Sequence, residues 1–296
     1  MKHLITGATG DVGSRVVDRL VRQGERPRVF VRDAAKARSR FGRSVEIWVG
    51  DLGHQDSLEA AMQRVDSVFL VTSGPQIPTL DELAARAASA AKVGLVAKLS
   101  SLDVEQSLAI GAWHERGEAA IRASGVPFTF LRPSGFMTNL LAWAEPIRAE
   151  GVVRTSTGNG RRAFIHPDDI AAVAVAALTC RDHAGEALAL TGPEAFSFAD
   201  VAAKIGAAIG RDLRYETLSD EEARRRFLAT GASIEETEAH VELWRAIREE
   251  RLGMTTDGVE RVLGRKPLRL DRWIGENVDA FRIGRPSYRA GRSWKW

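Results

Sequence analysis

Short runs of β-branched and aromatic residues alternate along this chain with longer stretches in which apolar residues return every three or four positions. The first run, Lys2 to Thr6, ends in Gly7-Ala8-Thr9-Gly10-Asp11-Val12-Gly13. After it Val12, Val16, Val17, Leu20 and Val21 share one helical face as far as Gly24. Six further runs predict strands: Arg28 to Val31, Val45 to Val49, Ser67 to Thr72, Leu95 to Ser100, Pro127 to Leu131 and Ala187 to Leu190. Strands separated by helical stretches are the rhythm of βαβ units, so the predicted fold class is α/β, a doubly wound parallel sheet. After residue 192 the pattern turns mostly helical, with Val201, Ile205 and Ile209 as one stripe and Asp271 to Phe281 as a last helix.

Several helix ends are readable. Thr79-Leu80-Asp81-Glu82 has capping-box spacing, and Gly94 is placed to close the helix that follows. Ser197-Phe198-Ala199-Asp200 and Ser219-Asp220-Glu221-Glu222 carry related N-terminal signals. No internal repeat or low-complexity linker separates two independent domains, so the C-terminal part is expected to pack directly on the sheet.

Composition narrows the class. The chain has 296 residues, 44% of them hydrophobic, which excludes disordered, collagen-like and coiled-coil readings. The single cysteine, Cys180, can form neither an intrachain disulfide nor a thiolate zinc cluster, which points to a reducing compartment. No apolar run approaches a membrane span, and the glycine loop at Gly7 leaves no room for a signal-peptide core, so a soluble, cytoplasmic protein is expected. The 42 Lys and Arg against 39 Asp and Glu look basic, but Arg282, Arg285, Arg289, Arg292 and Lys295 all lie in an acid-free tail, residues 282–296. Without that tail the balance is 37 against 39, a net of −2, which argues against a nucleic-acid partner. The tail itself reads as an unstructured extension or as an arm that docks its tryptophans on a neighbouring subunit.

Gly7-x-x-Gly10-x-x-Gly13 lies between a buried strand and a helix N-terminus. There the free N–H groups and the helix dipole attract a pyrophosphate, and glycine lets the backbone approach it. The loop as a whole, Thr6 to Gly13, resembles the opening of the atypical short-chain dehydrogenase/reductase proteins, in their NmrA-like and quinone-reductase-like branch. The resemblance continues through Val31-Arg32-Asp33 with Lys36, Gly50-Asp51-Leu52, Ser100-Ser101, Phe130-Leu131-Arg132-Pro133 and Asp168-Asp169-Ile170-Ala171, and covers roughly residues 1–281.

The resemblance implies a Rossmann core, residues 1–135 completed by about 166–191, with a substrate-binding part from 136–165 and 192–281. It also implies NAD(P)H at the carboxyl ends of the strands. In that frame Gly7, Thr9, Gly10, Asp11, Val12 and Gly13 cradle the phosphates and Asp51 and Leu52 lie beside the adenine. Thr72, Ser73 and Gly74 approach the phosphates and ribose, Ser100 and Ser101 approach the nicotinamide or a substrate carbonyl, and Pro133 to Phe136 passes over the nicotinamide. Met137, Trp113 and Trp143 would wall an apolar pocket, or belong to the core. His166 before Pro167-Asp168-Asp169 reads as a loop entering a helix.

The end of the second strand bears on cofactor choice, because an acid there bonds the ribose 2′-hydroxyl and an arginine accommodates a 2′-phosphate. Arg32, with Lys36 four residues on, favours NADP(H). The competing arrangement has Arg32 in solvent and Asp33 on the ribose.

Conventional members use a Tyr-x-x-x-Lys helix, but the two tyrosines here are Tyr215 and Tyr288, outside the dinucleotide-binding half. Counting back from Gly125-Val126-Pro127 puts Ile110 and His114 at the dyad positions. His114 then either donates a proton or bonds the ribose, or is a structural histidine satisfied by backbone or by Glu118 one turn later. His114 with Glu118 lacks a third metal ligand, so no metal is expected.

The leading expectation is an NADPH-dependent reductase of a small aromatic, quinone-like or conjugated carbonyl substrate, with Ser101 and His114 as the catalytic candidates. The alternative is an NmrA-like regulator that senses NADP(H) without turnover. An epimerase or dehydratase ranks third, because no strong acid/base pair is visible. Homo-oligomerisation is left open.

Overall fold

The computed structural model describes residues 1–283. The strands are β1 (His3–Thr6), β2 (Arg28–Val31), β3 (Glu46–Val49), β4 (Ser67–Val71), β5 (Val96–Leu99), β6 (Phe128–Pro133), β7 (Val152–Thr155), β8 (Arg161–Arg162), β9 (Ala187–Leu190), β10 (Phe196–Ser197) and β11 (Arg214–Thr217). The helices are α1 (Asp11–Arg22), α2 (Ala34–Phe41), α3 (Gln55–Met62), α4 (Ile77–Ala90), α5 (Ala109–Ala123), α6 (Ala144–Glu150), α7 (Pro167–Thr179), α8 (Phe198–Ile209), α9 (Asp220–Leu228), α10 (Ile234–Arg248), α11 (Gly258–Leu263) and α12 (Leu270–Asn277).

The seven strands expected from the sequence form one sheet in the order β3-β2-β1-β4-β5-β6-β9. Every neighbouring pair is parallel. This is the doubly wound Rossmann-like arrangement, and its strand order reverses between β1 and β4, where such sheets open a crevice at their carboxyl ends. Successive strand residues face opposite layers, so the runs are apolar throughout. Ile5, Val29, Phe69, Ala97 and Leu131 pack with α1 and α7, whereas Leu4, Phe30, Val68, Val96 and Phe130 pack with α3 and α4.

A second core holds Met137, Leu140, Trp143, Phe164, Phe198, Val201, Ile205, Leu243, Trp273 and Phe281. Ile110 and Trp113 of α5 belong to the same cluster, so the C-terminal part packs directly against a helix of the sheet layer. Trp113, Met137 and Trp143 are thus core residues, and Phe136 is half-buried against the sheet core.

Some local expectations change. α4 begins at Ile77 rather than at Thr79, because Pro78 is accommodated in the first turn, where its missing N–H costs nothing. Gly94 does not close α4: the helix ends at Ala90, and the Gly94 N–H donates to the Asp66 carbonyl. The capping box at Ser197 and Asp200 and the cap at Ser219 are present. β7 and β11 pair in parallel as a two-stranded sheet that the sequence pattern did not predict. α12 ends at Asn277, and a 3₁₀ turn carries the chain to Phe281. None of the described helices is long and apolar enough to cross a membrane. Beyond Arg282 and Ile283, the expectations for the basic tail lie outside the described residues.

Candidate active site

The glycine loop leaves β1 where Thr6 is pinned across the sheet, its hydroxyl accepting from the Val71 N–H at 2.7 Å and donating to the Phe69 carbonyl at 3.1 Å. Gly7 has φ +58°, and a side chain on it would come within 2.9 Å of the Val71 Cβ. A Cβ on Gly13 would overlap the Gly7 carbonyl oxygen, so α1 packs against the loop only with glycine there. Gly10 differs from Gly7 in its ordinary φ of −85° and from Gly13 in being exposed. It is the N-cap of α1, no side chain caps the helix, and the first-turn N–H groups of Asp11, Val12 and Gly13 have no intrahelical acceptor.

This open helix N-terminus beside a bare backbone fits a dinucleotide pyrophosphate. The Asp11 carboxylate accepts from Arg15 at 3.1 Å and from the Thr138 hydroxyl at 2.8 Å. Arg15 in turn reaches Asp168 at the N-terminus of α7 at 2.9 Å, which offsets the Asp11 charge next to the cradle.

Arg32, Asp33 and Lys36 follow β2. The Asp33 carboxylate caps α2, accepting from the Lys36 N–H at 2.9 Å. Arg32 and Lys36 are exposed, and neither side chain is paired with a carboxylate among the described residues. Asp51 and Leu52 follow β3: the Asp51 carboxylate takes the Gly53 N–H at 2.8 Å, and Leu52 packs on the sheet core.

Thr72, Ser73 and Gly74 follow β4 and Ser100 and Ser101 follow β5, so these residues, Pro133 to Phe136 after β6, and the glycine loop share the carboxyl edge of the sheet. The Thr72 hydroxyl donates to Asp81 of α4 at 2.7 Å, and the Lys98 ammonium lies 2.6 Å from the other Asp81 oxygen. Gly117 of α5 lies against Asp81 so closely that a Cβ there would overlap the carboxylate.

His114, one turn before Glu118 on α5, is buried, and no group among the described residues partners its Nδ1. Burial, and then the nearby Lys98 charge, push its pKa well below the ordinary 6.5, so the imidazole is neutral near pH 7. Glu118 is engaged elsewhere: it accepts from Ser100 at 2.6 Å, from Arg132 at 2.6 and 3.0 Å and from Arg122 at 3.2 Å. Ser101 donates to Asp103 at 2.9 Å and accepts from the Asp103 N–H, capping the 3₁₀ turn that follows. Both serines therefore have their hydroxyl protons committed to carboxylates.

His166 caps α7 through Nδ1, which accepts from the Asp168 N–H at 3.1 Å, as a loop-to-helix residue should. The sequence reading missed the Asp81–Lys98 pair and the Glu118–Arg132 pair. A signal was available for the first, since a lysine interrupts the otherwise apolar run Val96-Ala97-Lys98-Leu99.

Residues 7–181, more than half of the chain, match the NAD(P)H-binding family. The chain belongs to that family. Two relatives extend the match over nearly the whole length. One is the (4-alkanoyl-5-oxo-2,5-dihydrofuran-3-yl)methyl phosphate reductase of Streptomyces griseus, 39% identical over 281 residues, covering 94% of this chain and 98% of the relative. The other is an NAD(P)H azoreductase of Xenophilus azovorans, 37% identical over 268 residues, covering 88% and 93%. The NADPH complex of an NADPH-dependent quinone oxidoreductase from Escherichia coli superposes with a TM-score of 0.84 at 24% identity over 93% of this chain and 99% of that one, which shows the shared fold. This member of the family is an atypical short-chain dehydrogenase/reductase and an NAD(P)H-dependent oxidoreductase.

Proposed function

We propose that this protein is an NADPH-dependent reductase that delivers hydride to a small aromatic, quinone-like or otherwise conjugated carbonyl acceptor without a Tyr-Lys dyad. The observation that carries the reading is the pairing of an open phosphate cradle at Gly10 with two cations at the end of β2, Arg32 and Lys36, that are unpaired among the described residues. Asp33, the residue that would favour a ribose hydroxyl, is occupied as the cap of α2.

The residues toward the cofactor are then Gly7, Thr9, Gly10, Asp11, Val12 and Gly13 at the phosphates, Arg32 and Lys36 at the 2′-phosphate, and Asp51 and Leu52 at the adenine. Thr72, Ser73, Gly74, Ser100, Pro133 and Phe136 line the path to the nicotinamide ring. Bound there, the nicotinamide supplies the hydride. His114, neutral and with Nδ1 unspent, is suited to hydrogen-bond a ribose hydroxyl rather than to act as a cationic acid. Ser101 keeps only lone pairs to offer, since its proton goes to Asp103. A conjugated acceptor suits such a site, because the charge that arrives with hydride spreads through the acceptor and water can complete protonation. The names of the relatives describe reduction of an oxo-dihydrofuran phosphate and of azo compounds, which are conjugated acceptors of this kind.

The commitment of both serine protons favours one other reading, a regulatory protein that senses NADP(H) without turnover. Titration with NADPH and NADH, followed by loss of reduced-nicotinamide absorbance as quinones and conjugated ketones are added, separates the two. Acceptor-dependent oxidation supports the reductase; tight binding with no oxidation across the panel supports the regulator.

A further inference from the structure

Arg162 is 3% exposed, yet among the described residues only its Nη2 has a partner, the Asp103 carboxylate at 3.2 Å. Nε and Nη1 are both buried with no acceptor among the described residues. A guanidinium carries five N–H donors, so three point to no protein acceptor, an arrangement that is costly unless something else accepts from them. A Cβ on Gly135 would come within 2.7 Å of Nε, so the loop after β6 admits the guanidinium only because residue 135 is glycine.

Arg162 lines a small cavity with Leu102, Asp103, Gln106, Ser134, Leu252 and Met254. The space measures about 10 Å³, the size of one water or one oxygen atom. Of the other polar groups in its wall, the Ser134 hydroxyl donates to the Ala163 carbonyl, Asp103 accepts from Ser101 and Arg162, and Gln106 is only half-buried. Arg162 is thus the buried cationic donor left over. Asp103 and Ser134 sit just past the carboxyl ends of β5 and β6, so the cavity adjoins the edge where the acceptor is reduced, and Leu252 and Met254 of the C-terminal part close it from the other side.

We infer that Arg162 is the oxyanion-binding residue of the site, its Nε and Nη1 groups receiving the acceptor oxygen on which negative charge develops. The inference rests on the reductase reading. When hydride reaches the far end of the conjugated system, the π electron pair moves onto the carbonyl oxygen, giving an enolate or phenolate. The nicotinamide is oxidised, the acceptor is reduced by two electrons, and water supplies the proton that neutralises the oxygen. A preorganised cationic donor in a small, largely buried cavity stabilises that charge without reorganising. Asp103 orients the fork through Nη2 and is a positioning residue.

The test uses a product-like anion and needs no turnover. With 4-nitrophenol as probe, binding of the phenolate is read from its visible band in the full-length protein, without added nicotinamide. Wild type is expected to bind it and lower its apparent pKa. Arg162→Gln should weaken binding about tenfold or more. Asp103→Asn, which leaves the guanidinium uncompensated, should strengthen it severalfold. Arg161→Gln, an exposed neighbour bonded to the Ala195 carbonyl, should leave it unchanged. If Arg162→Gln does not fold, the double variant Arg162→Gln/Asp103→Asn, which removes both buried charges, takes its place and should show the same loss. Phenolate binding that is insensitive to Arg162, or unchanged in Asp103→Asn, overturns the inference. NADPH titration of the same samples reads the parent proposal separately, since failure to bind NADPH would remove the reductase reading while leaving an anion site at Arg162 measurable.

Discussion

The Lys98 ammonium lies 2.6 Å from a carboxylate oxygen of Asp81, and both side chains are fully excluded from solvent. Thr72 donates to the second Asp81 oxygen, so the pair ties the end of β4 to α4 and β5 directly below the carboxyl edge. Removing one member leaves a buried charge without its partner, whereas removing both leaves an apolar gap. Lys98→Met alone is expected to cost about 3–5 kcal/mol, and Lys98→Met/Asp81→Leu to recover most of that loss. Urea denaturation midpoints at constant m measure both, and a double variant as unstable as the single one would contradict the account.

The glycine loop makes a position-specific prediction. Ala at 13 meets the Gly7 carbonyl oxygen, and Ala at 7 requires a strained φ of +58° as well as a contact with Val71, so Gly13→Ala and Gly7→Ala should lower thermal stability. Gly10→Ala is different. Its nearest obstacle is the Gly7 oxygen at 3.1 Å and its φ is ordinary, so the fold should tolerate the change. The added methyl then occupies the space a pyrophosphate needs, and NADPH affinity should fall by at least about tenfold with Tm nearly unchanged. Equal effects of the three substitutions on stability would show that Gly10 is part of the packing and not of a cradle.

What was legible in the sequence was what local pattern determines. The strands of a sheet buried on both faces read as short apolar runs, and Ser197 and Ser219 cap helices through atoms three residues away. What was not legible depended on distant partners. Arg162 of β8 and Asp103 of the 3₁₀ turn after β5 are 59 residues apart and meet only in the folded chain. Glu118 was weighed as a neighbour for His114 on helical spacing, but Arg132, fourteen residues on in β6, takes both its oxygens. β7 and β11 escaped detection because two short strands separated by some sixty residues carry no periodic signal of their own.

Histidine burial sets a pH dependence. Burial holds the pKa values of His3, His114, His166 and His240 below the ordinary 6.5. As pH falls through 6.5 the unfolded chain takes up these protons while the folded chain resists, so the unfolded state binds more protons and stability is lost on the acid side. Above that pH the two states carry the same charge at these positions and no slope arises from them. Tm should therefore decline between pH 6.5 and about 5, a window above most carboxyl titrations. His114→Gln should make the decline shallower. A Tm independent of pH across that window would contradict burial of the neutral imidazoles.

Cofactor preference is decided at Arg32. Its guanidinium is exposed and unpaired among the described residues, so removing it breaks no bond there, and Arg32→Ala should leave Tm unchanged. A 2′-phosphate is the one part of the dinucleotide that distinguishes NADPH from NADH, and a charge-assisted bond to it is worth about 1.5–3 kcal/mol, or about ten- to a hundredfold in affinity. The variant should lose NADPH binding by that factor while NADH changes little, and Lys36→Ala should show the same asymmetry at smaller size because Lys is a point charge without a planar fork. Direct titration of both nucleotides measures this. Parallel losses for NADPH and NADH would place Arg32 at a common part of the dinucleotide and return the ribose to Asp33, whose carboxylate would then have to leave the cap of α2 or share it.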